Sequence, residues 1–183
     1  MRSTIGIDIA APAELVFRLA RDVERWPRLL PHYVRAARVA AADSDGRIVV
    51  AFVARRPLVP VLGLGLPVAW RSLTWADATA CRLRFVHRGG ATNGMDVTWR
   101  IEDTPSGGCH VEIEHEFRPR VPGWAALIDG LFTRPIAGRT LATFRALAEA
   151  LAETPAARSS DGSGDIGPAG KRSEGAVPTN QSA

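Results

Sequence analysis

Three side chains of this 183-residue sequence stand where they can move protons inside an apolar space: Tyr33, His87 and His115. In the run RLRFVHR, Leu83, Phe85 and His87 alternate with Arg82, Arg84 and Arg88, so the apolar set faces inward and His87 goes with it. In VEIEHEF, Val111, Ile113, His115 and Phe117 alternate with Glu112, Glu114 and Glu116, which places a second imidazole on the same side. An imidazole relays a proton near neutral pH. Tyr33 follows a helical turn and precedes an extended segment, where a phenol can donate a hydrogen bond to a polarised carbonyl or an enolate. Each of the three also reads as architecture: a hydrogen-bonded interior or rim histidine, or a core tyrosine capping a sheet edge. Two histidines define neither a nucleophile nor a metal site, and the sequence offers no third ligand, so no metal is expected.

The elements that must position these groups are legible from periodicity. Ile5, Ile7 and Ile9 alternate with small or polar residues, the period of a half-buried strand, and Pro12 stops it. Leu15, Val16, Leu19 and Val23 then recur at helical spacing, and Pro27 and Pro31 divide that stretch into two short helices. Six extended segments follow, at about residues 33–42, 46–56, 67–77, 80–89, 94–103 and 108–118, separated by turn-formers such as Gly89-Gly90 and Asn93-Gly94. Connections this short favour antiparallel neighbours. From Pro122 to Glu153, apolar residues including Trp124, Leu131, Phe132, Leu141 and Phe144 recur at three and four, predicting one long amphipathic helix bent at Pro135. Such a helix must bury its stripe, and the seven-stranded sheet is the partner at hand. A sheet curved around it gives an α+β grip with a cavity for a small molecule between the two.

The same parity places Met95, Val97, Trp99 and Ile101 inside and Asp96, Thr98, Arg100 and Glu102 in water. On 67–77, Trp70, Ser72 and Thr74 share one face and Arg71, Leu73 and Trp75 the other. Trp26, Trp70 and Trp99 read either as core or as ligand platforms. The uncharged run PLVPVLGLGLPVAW, residues 57–70, is too short and too broken by Pro and Gly to span a bilayer. It reads as a buried connection between strands, or as a greasy lid or contact patch with Arg55 and Arg56 beside it.

Composition sets the remaining bounds. With 46% hydrophobic and 23% charged residues, one packed domain over 1–153 is expected. Residues 154–183 are rich in Gly, Ser and Pro and read as a disordered tail. The N-terminus lacks a basic region followed by an apolar core, and a cytoplasmic protein is expected. Net charge is +4, but the arginines are scattered and carry no nucleic-acid motif, which argues against nucleic acid as a partner. Cys81 and Cys109 form neither a disulfide framework nor a zinc spacing and read as small buried thiols.

Four stretches, IDIAAPAELVFRLARDVERWPRLLPHY, GMDVTWRIE, VEIEHEF and RTLATFRALAEALAE, together resemble the polyketide cyclase/dehydrase family of the START-like superfamily over residues 3–153. The resemblance implies the START/Bet v 1-like helix-grip fold and relatives that fold and cyclise poly-β-ketone chains delivered by an acyl carrier protein; coenzyme Q-binding proteins are cousins. It places Trp26, Tyr33, Trp70, Ser72 and Trp99 at pocket positions. Two residues after that serine the aromatases carry an arginine important for their chemistry, and here the residue is Thr74.

The candidate catalytic set is therefore Tyr33, His87 and His115. The candidate ligand-contacting set is Trp26, Trp70, Ser72, Thr74, Phe85, Met95, Trp99, Ile113, Phe117 and Phe132. The reading leans to a polyketide cyclase that needs no cofactor; the alternatives are a lipid or isoprenoid quinone carrier without chemistry and an accessory protein of a biosynthetic complex. The partner is a hydrophobic small molecule, with an acyl carrier protein or a transient membrane contact as further expectations.

Overall fold

The computed structural model describes residues 1–59 and 64–154, and the alternating segments form seven strands within them. These are β1 (Arg2–Ile9), β2 (Tyr33–Ala40), β3 (Ile48–Val59), β4 (Leu64–Asp77), β5 (Arg82–Arg88), β6 (Asp96–Asp103) and β7 (Cys109–Glu116). They make one curved antiparallel sheet in the order β1-β7-β6-β5-β4-β3-β2. Its inner face carries Phe52, Leu83, Phe85, Trp99, Ile101, Val111 and Ile113, all buried, as parity requires.

Between β1 and β2 run α1 (Ala13–Arg21), a 3-10 turn (Val23–Arg25) and α2 (Trp26–Leu29). Pro27 lies in the first turn of α2, where its missing N–H has no partner to lose. α1 buries Val16, Phe17 and Ala20.

Residues 57–70 are not simply a connection. β3 and β4 continue past the rest of the sheet as a two-stranded ribbon, with Arg55 opposite Pro67 and Pro57 opposite Gly65. The pairing of β2 to β3 ends at Ala54, and that of β5 to β4 ends at Arg71. Among the described residues each ribbon strand thus has a free outer edge at its proline, a setting in which proline is tolerated in a strand. Residues 60–63, within the expected lid, and the tail from 155 lie outside the described residues.

The C-terminal helix is in three pieces where one was expected: α3 (Trp124–Ile128), a π-helical turn (Asp129–Thr133) and α4 (Arg134–Glu153). Pro135 has no N–H for the carbonyl four residues before it and its ring crowds that carbonyl. Opening the preceding turn to i→i+5 bonding moves the carbonyl aside without breaking the helix axis. α4 buries Ala137, Leu141, Phe144 and Ala148, one stripe at steps of four, three and four, against β1, β3 and α1. Among the described residues no helix is long and apolar enough to cross a membrane.

Candidate functional site

A cavity opens between sheet and helix because α4 presents small residues to it at one end. Ala137 and Thr140 face the sheet near the start of α4, while Phe144, one turn further, reaches Trp26 (6.0 Å between centroids) and Trp99 (5.9 Å) and closes the inner end. Trp26 is the hub: its ring lies 5.0 Å from Tyr33, 5.8 Å from Phe52, 5.9 Å from Phe85 and 5.6 Å from Trp99. Its indole N–H donates to the Ala20 carbonyl at 2.9 Å, so the ring is fixed by α1 rather than free to turn. The space is about 630 Å³ with its open mouth included, of which about 80 Å³ admits the centre of a water molecule.

Of the residues picked from the sequence, Trp26, Tyr33, Trp70, Phe85, His87, Met95, Trp99, Ile113, His115 and Phe132 line this cavity. Ser72, Thr74 and Phe117 do not. Phe52 and Phe85 stand on the strands either side of β4 and meet edge to face above it at 6.3 Å, with Trp26 packed on both. Ser72 and Thr74 lie beneath that roof, 0% and 4% exposed. Their hydroxyls donate to the carbonyls of Leu73 (3.2 Å) and Ser72 (3.4 Å). Phe117 is buried just past the end of β7, its N–H donating to the Met1 carbonyl.

The polar groups of the wall are few and held apart. His87 stacks on Trp70 at 5.8 Å, and its Nδ1 is 2.9 Å from the Thr92 hydroxyl. Burial, then the charge of His115, lowers its pKa to about 3. His115 stands opposite Ser3 of β1 and Val97 of β6; burial lowers its pKa to about 4 against the raising effect of Asp129. The two histidines are two strands and two residues apart, which places their backbones about 12 Å from each other. Tyr33 is buried, and desolvation holds its phenol well above the usual range, so it is a neutral donor throughout.

Two groups escaped the sequence reading. His32, 3% exposed, has its Nε2 2.9 Å from the Thr140 hydroxyl, which itself donates to the Ile136 carbonyl at 2.8 Å. With that hydroxyl proton engaged, Thr140 accepts from His32, so the ring carries its hydrogen on Nε2, and its buried Nδ1 has no partner among the described residues. Asp129 on the π-turn accepts from Arg134 at 2.7 Å with one oxygen, while its other oxygen, the Nδ1 of His115 and the hydroxyl of Ser3 are buried without partners among the described residues. The signals were there: Thr140 adjoins Leu141 on the buried stripe of α4, and Asp129 is the acid inside an apolar run.

The chain matches the family model described as polyketide cyclase / dehydrase and lipid transport over residues 2–154. Two relatives bear the name "Putative polyketide cyclase". One, from Streptomyces halstedii, is 34% identical over 55% of this chain and 87% of its own; the other, from Streptomyces cyaneus, is 30% identical over 63% and 73%. The Zhui aromatase/cyclase from Streptomyces sp. R1128 superposes with a TM-score of 0.66 over 81% of this chain and 93% of its own, and at 17% identity that likeness speaks for the fold. With a matched region that takes in every strand, the cavity and all of α4, this chain belongs to the polyketide cyclase/dehydrase and lipid transport family.

Proposed function

We propose that the cavity receives a poly-β-ketone-type chain in the cytoplasm, delivered by an acyl carrier protein, and guides its cyclisation. The observation that supports this is the lining itself: an aromatic wall interrupted by Tyr33, His87 and His115, both imidazoles neutral at pH 7 and able to accept a proton. A methylene between two carbonyls is acidic. A neutral imidazole takes its proton, the enolate charge alongside offsetting the burial that otherwise keeps the ring uncharged; the enolate carbon attacks a ketone carbon further along the chain, and the new alkoxide takes that proton back from the imidazolium while the Tyr33 hydroxyl donates a hydrogen bond to it. The separation of the histidines suits contact at two points along one folded chain. Most of the acceleration comes from holding that chain in one conformation.

A void of about 80 Å³ is smaller than the roughly 150 Å³ that holds benzene in an engineered protein cavity. Entry of a chain or ring therefore requires the partly exposed rim residues Trp70, His87 and Phe132 to turn aside.

A second reading, a lipid or isoprenoid quinone carrier without chemistry, is favoured by one observation: no arginine or lysine among the described residues lines the cavity to stabilise an enolate, and Thr74 stands where the aromatases carry arginine. Native mass spectrometry of protein purified from a producing host, with extraction of what copurifies, separates the two. An aromatic polyketide or its shunt product supports cyclisation, and Tyr33→Phe, His87→Ala and His115→Ala then change the product mixture. A bound quinone or acyl lipid, with no product change in those variants, makes the protein a carrier.

A further inference from the structure

The outer face of the sheet treats its charges in two ways. On β6, β7 and β1 the guanidinium groups are matched: Arg100 donates to Glu112 at 2.7 Å and to Glu114 at 2.6 Å, and Arg2 also pairs with Glu114. Just past β7, Arg118 reaches Glu116 at 2.6 Å. On β2 to β5 the same face carries Arg35, Arg55, Arg71, Arg82, Arg84 and Arg88, all exposed. Among the described residues none of these six has a carboxylate within ion-pair distance. The acids bordering the group are Asp77, in register with Arg82 at the far end of β4, and Asp96 of β6, opposite Val86 and so between Arg84 and Arg88; neither is within ion-pair distance of the six.

This imbalance has a cost. Arg71 is in register with Arg88, and Arg82 with Arg100, and like charges directly opposite on neighbouring strands destabilise a sheet. Arg35, Arg71 and Arg88 border a single groove whose floor is Ala51, Val53 and Ala69 and whose end is Gly89-Gly90. Trp70 borders both this groove and the cavity, so whatever docks here sits beside the ligand.

We infer that this arginine face docks an acidic protein partner. The groove mixes cations with a floor of small apolar side chains, which suits a helix bearing carboxylates and short apolar residues. Nucleic acid would call for an unbroken basic track with free aromatic platforms, whereas Trp75, the aromatic of this outer face, is half-buried and covered by the guanidinium groups of Arg47 and Arg84, 5.2 and 5.6 Å from its ring centroid. A flat bilayer would meet the outward-bulging side of a curved sheet only along a ridge. The inference does not depend on what the cavity holds.

The test uses the full chain and fluorescein-labelled poly-L-glutamate, read by anisotropy at low and at physiological ionic strength. Arg71→Glu/Arg88→Glu should weaken binding by ~10-fold or more, whereas Arg25→Glu/Arg28→Glu, the same change of net charge on another surface, should leave it within about twofold. If the first pair unfolds by circular dichroism, Arg71→Gln/Arg88→Gln takes its place, with a smaller loss in the same direction. Equal loss in both pairs means that net charge alone was read, and overturns the inference. So does absence of binding, or tighter binding to duplex DNA or to phosphatidylglycerol vesicles than to polyglutamate at matched salt. Cavity ligand retained in the Arg71/Arg88 variant separates this outcome from any failure of the cyclase reading.

Discussion

Acidification from pH 7 to pH 5 should remove about 4 kcal/mol of stability through two buried histidines. Burial, assisted by the charge of Arg139, pushes His32 down to about 4, and burial against the opposing effect of Asp129 pushes His115 to about 4. Both values lie below the unfolded imidazole's, about 6.5. The unfolded chain therefore takes up protons that the folded one refuses: the contribution is complete above the unfolded value and is lost as pH falls toward the folded one. At pH 5 an unfolded imidazole is almost fully charged and a native one of this kind scarcely so, which is about 2 kcal/mol for each ring. His87, lowered to about 3, adds to the loss, with a discount for its partial exposure. The carboxylates with lowered pKa, Glu114 and Asp77, act in the opposite range: their contribution is present above their ordinary values and is lost only below them. Urea unfolding followed by far-ultraviolet circular dichroism at the two pH values measures the difference directly. Against a typical total of about 5–15 kcal/mol the loss is conspicuous. His32→Asn and His115→Asn, each less stable at pH 7, should each flatten the pH dependence by about 2 kcal/mol. Equal stability at both pH values, or an unchanged slope in both variants, refutes the assignment of these rings as neutral and buried.

Other expectations follow from single contacts. Thr140→Val leaves the His32 Nε2–H buried without an acceptor and should cost about 1–3 kcal/mol in calorimetry, with Thr140→Ser recovering most of it. A Cβ on Gly108 would stand 2.4 Å from the Ile9 carbonyl oxygen, so Gly108→Ala should lower the thermal midpoint by forcing β1 from β7. That strain is of the order of 1–3 kcal/mol, and an unshifted midpoint would mean the strand ends move freely. Ala137→Phe fills the cavity from α4 and should abolish uptake of an apolar fluorophore with the fold intact; undiminished uptake would place the ligand site elsewhere.

How far the sequence carries depends on what each feature rests on. Period-two alternation reports which side of a strand faces in, and it placed His87, His115, Trp99 and Phe85 on the inner face correctly. It cannot report which inward residues are covered by a neighbour. Ser72 and Thr74 share the inner face with Trp70, yet they are roofed because Phe52 and Phe85 converge over β4, a contact between strands far apart in the chain. Prolines 57 and 67 read as loop punctuation because their tolerance in a ribbon depends on where β2 and β5 stop. His32 escaped because its partner, Thr140, is on the last helix.

The π-turn at Asp129–Thr133 has a consequence for how such a protein can diversify. A π-turn holds one residue more than the α-helical turn it replaces, so everything before it is rotated about 100° relative to an uninterrupted helix. That rotation brings α3 to where the Trp124 indole N–H donates to the Ala91 carbonyl, and it brings Phe132 and Thr133 to the cavity. Deleting a single residue here would redraw the entrance while α4 kept its stripe against the sheet. Entrance and grip are thus separately adjustable, and a lineage can retune what enters by one-residue length changes without rebuilding the core.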